Sequence, residues 1–194
     1  MENTNEKDAL LKLMIARAQL LQTVKLAKQE YGTLFNRFRL YTPKEVQVRV
    51  DYFDKLIRKS VVDRTFQDNL LTPFMFVREH EIMPKRYGQM NMLEGEMDFV
   101  AYCMKPVNEW ARLQTRVYDE LKNNIKTIVT AENELKEMGS TQIDSEKSLD
   151  KKTWPKDEPK NGKELVSVVK KCENYLIVLG EDTQIDAYAK LNSY

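Results

Sequence analysis

His80 stands between Glu79 and Glu81 as the one histidine of the chain, and Cys103 and Cys172 are its two thiols. A lone histidine removes the common zinc spacings, which set histidines and cysteines a few residues apart. His80 paired with a thiol would make a base and a nucleophile. Both cysteines, however, fall on apolar helical stripes, where a thiol behaves as a small buried hydrophobe. Glu94, Glu96 and Asp98 form a carboxylate run. Alternate residues of a helix point to different faces, so the three do not converge on one ion. The Glu-x-x-His pairs of a di-metal bundle and the Gly-Lys-Ser/Thr end of a phosphate loop do not occur. The sequence assigns no catalytic residue, no metal ligand and no cofactor, and the chain reads as non-enzymatic.

The remaining chemistry is basic. Arg37, Arg39, Lys44 and Arg49 gather near Phe38 and Tyr41, the mixture of cation and ring that a stacking surface for nucleic acid uses. Glu45, Asp51 and Asp54 interrupt the patch. Net charge is only +1, so no global field draws the chain onto a polyanion. A nucleic-acid-associated helical protein is therefore the alternative reading.

The elements that position these residues are helical. Leu10, Leu13, Leu20, Val24, Ala27, Tyr31, Leu34 and Phe38 recur on three- and four-residue steps, an a/d seam broken by Arg17 and widened by Met14, Leu21 and Phe35. The spacing predicts a helix from Asn5 or Asp8 to about Phe38, with Gly32 inside it. Thr42-Pro43-Lys44-Glu45 then reads as a cap, an N1 proline and an N3 glutamate. From there Val46, Val50, Phe53, Ile57 and Val61 form the stripe of a second helix, and a restart at Ser60 carries it to Pro73. The short joint predicts an antiparallel pair. This second stretch resembles the helical hairpins of many capsid-type and scaffold proteins.

Residues 73–88 are irregular. Met90, Leu93, Met97, Val100 and Met104 then resume helical spacing up to Pro106. A separate helix of about thirty residues is expected from Val107 to Leu135, with Glu132 and Lys136 paired one turn apart on its outside and a stop at Met138-Gly139. Residues 139–163 are rich in charge and turn formers, the composition of a linker, with Leu149 and Trp154 as its anchors. Leu165, Val168, Val169, Cys172, Tyr175, Leu176 and Leu179 make a short helix ending at Gly180, and Asp182 caps a last stretch carrying Ile185, Tyr188 and Leu191.

These elements define an all-α fold: an elongated helical bundle on two long helices, with an extended polar tether and a C-terminal helical clip. The expected organisation is a bundle over 1–138, a tether over 139–163 and a helical segment over 164–194. At 194 residues, 42% of them hydrophobic and 31% charged, the chain has the composition of a folded protein. Two cysteines are too few for a disulfide framework, which favours an intracellular, reducing compartment. The acidic start lacks the basic and apolar regions of a secretory signal, and no window is apolar enough for a membrane span.

A first helix of thirty residues would be about 45 Å long, against a diameter of roughly 40 Å for a compact chain of this length. That comparison makes the seam a surface that other chains cover. The expected function is a structural or assembly subunit of a multi-protein complex, such as a virion component or an accessory subunit, with homo- or hetero-oligomeric protein partners. The candidate contact residues are Tyr31, Phe35 and Phe38 of the seam, Phe74, Met75, Phe76, Met83 and Met90 of the irregular segment, and Leu149 and Trp154 of the tether.

Overall fold

A computed structural model describes residues 2–32, 40–63 and 96–180. These are mostly helical, and no strand occurs among them. The chain is all-α. Helix α1 spans Glu2–Gly32, α2 Pro43–Asp63, α3 Glu96–Glu137 and α4 Gly162–Leu179, with a single 3-10 turn, η1, at Ser145–Lys147. The chain divides into two compact units, one formed by Met1–Gln29 with Val117–Tyr194, the other by Glu30–Arg116.

In the first unit, α1 buries Ala9, Leu13, Ala16, Leu20, Leu21, Val24 and Ala27. The helix begins at Glu2, earlier than the sequence suggests. Facing this seam are Val117, Leu121, Ile125, Ile128 and Leu135 of α3, and Leu165, Val168, Cys172 and Leu176 of α4, all buried. Arg17 meets Glu132 and Thr23 meets Glu120. Position rises along α1 as it falls along α3, so the two run antiparallel. From Ala9 to Ala27 the buried side chains of the seam are covered within the chain; its continuation to Phe38 lies outside the described side chains. Met14, expected to widen it, is instead 54% exposed.

Residues 140–161 run back along α3. The Leu149 N–H reaches Glu132, Trp154 lies edge-on to Tyr118 with ring centroids 5.1 Å apart, and Glu158 pairs with Lys122. Glu132 and Tyr118 are separated by about 21 Å of helix. The stretch from Leu149 to Trp154 is turned rather than straight: the Thr153 N–H donates to the Asp150 carbonyl at 2.9 Å and the Lys152 N–H to the Asp150 carboxylate at 2.8 Å. The long side chains of Glu132 and Trp154 cover the rest of the distance. A polar composition here has not produced a loose loop, because Leu149, Thr153 and Pro159 are buried at intervals along it. The turn that starts it is made by Gly139 at φ 69°, with the Ser140 N–H donating to the Leu135 carbonyl. Asn161 then caps α4 by accepting from the Glu164 N–H, and Gly180 at φ 67° ends it.

In the second unit, α2 starts as its sequence predicts. The Thr42 N–H and hydroxyl both donate to the Glu45 carboxylate, and the Val46 N–H donates to the Thr42 carbonyl. Val46, Phe53 and Ile57 are buried. The helix continues through Ser60 to Asp63 without a restart.

Pro106 was expected to end one helix and begin another. Instead α3 is continuous over 42 residues and passes through it. A mid-helix proline costs about 3 kcal/mol. Buried Cys103, Met104, Val107 and Trp110 line one stripe on both sides of it, and breaking the helix would break that stripe. Helix α1 belongs to one unit with α4 and the C-terminal part of α3, and α2 belongs to the other; the hairpin expected between the first two helices depends on their joint. Residues 33–39, where the joint falls, lie outside the described residues. No described helix is long and apolar enough to cross a membrane.

Candidate functional site

The first unit is closed by one carboxylate. Glu132, on α3, is 1% exposed. Its Oε1 accepts from Arg17 Nη2 at 3.2 Å and from the Tyr175 hydroxyl at 2.6 Å, and its Oε2 accepts from the Leu149 N–H at 2.9 Å. Arg17 Nε donates to the Tyr175 oxygen at 2.7 Å, with the guanidinium 5.6 Å from that ring's centroid. Four segments of chain therefore meet on one side chain: α1, α3, the 140–161 segment and α4. Burial pushes the Tyr175 phenol upward, with Arg17 opposing and Glu132 adding to the shift. Burial likewise raises Tyr118, and the Glu158 carboxylate beside it adds to the effect. A buried carboxylate with every partner in place is a structural lock. Its oxygens hold three donors from three other segments of the chain.

The expected outer Glu132–Lys136 pair is therefore corrected: Lys136 is exposed and Glu132 faces inward. A glutamate one turn from a lysine reads as a solvated pair in any single helix. The signal that would have corrected it is Arg17, an opposite charge on the seam of another helix.

In the second unit, Tyr41, Val46 and Trp110 form a small cluster with Val50 and Ala111 against it. The Tyr41 ring meets Trp110 edge-on at 5.7 Å. Arg49 lies 4.0 Å above the Tyr41 ring and donates to the Glu45 carbonyl at 3.3 Å. Gln114, 1% exposed, accepts from the Tyr41 N–H at 3.2 Å, while its Nε2 has no hydrogen-bond partner. Of the candidate nucleic-acid residues, Arg49 is engaged with Tyr41, Lys44 is exposed, and Arg37 and Arg39 lie outside the described residues.

The other candidates are dispersed. His80 and Glu94 lie outside the described residues, and Glu96 and Asp98 open α3. Cys103 and Cys172 are buried free thiols, both pushed up to about 12 by burial, so neither is a thiolate at neutral pH. Among the described residues no group of three or more His, Cys, Asp or Glu side chains is placed to hold a metal ion. Of the candidate contact residues, Leu149 is buried in its own unit and Trp154 is half-buried against Tyr118. Tyr31 falls in the last turn of α1, and Phe35, Phe38, Phe74, Met75, Phe76, Met83 and Met90 lie outside the described residues.

Large apolar side chains are exposed on both units, all but Met14 at sites the seam pattern did not single out. On α2 these are Val48, 66% exposed, and Tyr52, 53% exposed. They sit one turn apart on the side of the helix opposite buried Val46, Phe53 and Ile57. In the first unit they include Leu11, Met14 and Ile15 of α1 and Ile177 and Val178 of α4. Comparison with protein-family models, with curated proteins and with solved structures gives no match.

Proposed function

We propose that the chain is a non-enzymatic structural or assembly subunit of a larger multi-protein complex, which docks on another protein through the outer face of α2. The observation that carries this reading is the two-sided apolar character of that helix. A helix buried along one stripe is satisfied by one neighbour; a helix that is apolar on both sides fits between two. Tyr52 also has the side-chain type that interfaces favour, with large area and few rotatable bonds. In the same reading the long helices form an elongated bundle over 1–138, 139–163 is its tether and 164–194 its clip. The two buried thiols accord with a reducing intracellular compartment.

The test uses the full chain isolated from its native source, as wild type and with Val48→Lys and Tyr52→Glu together. Both positions are solvent-facing, so circular dichroism should not change. The reading expects wild-type chain to bring other subunits with it and the double variant to lose them. Subunits retained equally by both would overturn it.

A further inference from the structure

The outer face of α2 carries charge as well as apolar surface. Lys44, Val48, Tyr52 and Lys55 follow one another at spacings of four, four and three residues, which on a helix sets them in one stripe. All four are exposed. The stripe therefore runs cation, two apolar side chains, cation. Its two lysines are about 17 Å apart along the axis, at about 1.5 Å per residue.

The other described charges of α2 already have local partners. The Glu45 carboxylate accepts from the Thr42 N–H and hydroxyl at the cap. Asp51 accepts from Gln47 Nε2 at 2.8 Å, and Asp54 pairs with Arg58 at 2.8 Å. Arg49 lies over the Tyr41 ring. Lys44 and Lys55 are left, and among the described residues neither pairs with a carboxylate. Net charge on the whole chain is only +1, so the positive character belongs to this face rather than to the molecule. Such a surface selects a partner of opposite charge whose apolar groups lie between its charges. A regular stripe along one helix is matched turn by turn by a second helix laid beside it. A phosphate backbone would satisfy the lysines but offers Val48 no apolar contact.

Building on the docking face assigned to α2 above, we propose that its occupant is an acidic amphipathic helix of the partner protein. The partner helix carries two carboxylates about three turns apart, with an apolar pair between them. The apolar pair covers Val48 and Tyr52, and the carboxylates meet Lys44 and Lys55 at the rim.

The complex would be isolated from its native source at low salt and treated with a carbodiimide. This reagent condenses a lysine amine with a carboxylate into an amide, taking up the expelled water as a urea. Cross-linked peptides, read by mass spectrometry, should join Lys44 or Lys55 to an Asp or Glu of another subunit. In parallel, full chain carrying Lys44→Glu/Lys55→Glu would be compared with Lys44→Arg/Lys55→Arg and with wild type. Charge reversal should lower the recovered subunits several-fold, because like charges then face each other. The arginine variant should keep them, with circular dichroism alike in all three. Subunits kept by the reversed variant but lost from Val48→Lys/Tyr52→Glu would overturn the acidic partner and leave the docking face standing. Subunits kept by both would overturn the docking face and the acidic partner together. No cross-link from either lysine, in a complex cross-linked elsewhere, would overturn the acidic partner, as would release of the subunits by nuclease.

Discussion

The two units treat a buried polar side chain in opposite ways. In the first, Glu132 is fully engaged, with both oxygens accepting and four chain segments held by it. In the second, Gln114 is just as deeply buried but uses only its oxygen, on the Tyr41 N–H, and leaves an amide nitrogen without a partner. Burial alone therefore says little about what a polar group contributes. A satisfied network ties elements together, whereas a half-satisfied one holds a local contact against a desolvation cost.

Glu132→Ala should show the largest effect. It leaves the Arg17 guanidinium, the Tyr175 hydroxyl and the Leu149 N–H without their acceptor, at about 3–5 kcal/mol for breaking a buried pair. Urea unfolding would measure the loss, and hydrogen exchange should show the Leu149 amide losing protection. A change below about 1 kcal/mol would mean that the carboxylate is not the lock described. Leu165→Ala, which touches α4 without touching the network, should cost about 2–5 kcal/mol through its cavity while leaving the Leu149 amide protected under native conditions.

Gln114→Leu sharpens the contrast. It orphans the Tyr41 N–H but removes a buried donor that has no partner, two effects of about 1–3 kcal/mol with opposite sign. The net change in stability should be small, and a loss as large as that of Glu132→Ala would erase the distinction.

A last effect concerns pH and is confined to the alkaline range. Cys103 and Cys172 are raised from 9.0 to about 12 in the fold. Between those values the unfolded chain has lost thiol protons that the folded chain keeps, so it binds fewer protons and stability falls as pH rises. Stability from this source is complete below pH 9 and declines toward pH 12, which denaturant midpoints across that range would show. Native thiols should be unreactive to disulfide reagents at neutral pH.

Much of the fold is legible in the sequence, and what is not has identifiable causes. The seam from Leu13 to Ala27, the Thr42–Glu45 cap, the glycine stops at 139 and 180 and the stripe of α4 follow local rules, because each depends on neighbours within a turn or two. Pro106 and Glu132 do not. A proline is tolerated inside α3 because a buried stripe continues past it, and a glutamate turns inward because an arginine from a helix more than a hundred residues away meets it. Local patterns carry neither fact. The same limit applies to function: between Ala9 and Ala27 the seam that looked like surplus apolar surface is buried within its own unit, while the exposed pair Val48 and Tyr52 falls between the positions of the stripe that defined α2.

The central claim is that this outer face of α2 is kept for another protein, and footprinting tests it most directly. A photoactivated carbene reagent would label the free full-length chain and the same chain within its native complex, with modified residues read by mass spectrometry. The account predicts strong labelling of Val48 and Tyr52 in the free chain and protection of both in the complex, with Lys136 labelled alike in each. Equal labelling of Val48 and Tyr52 in the two states would contradict it.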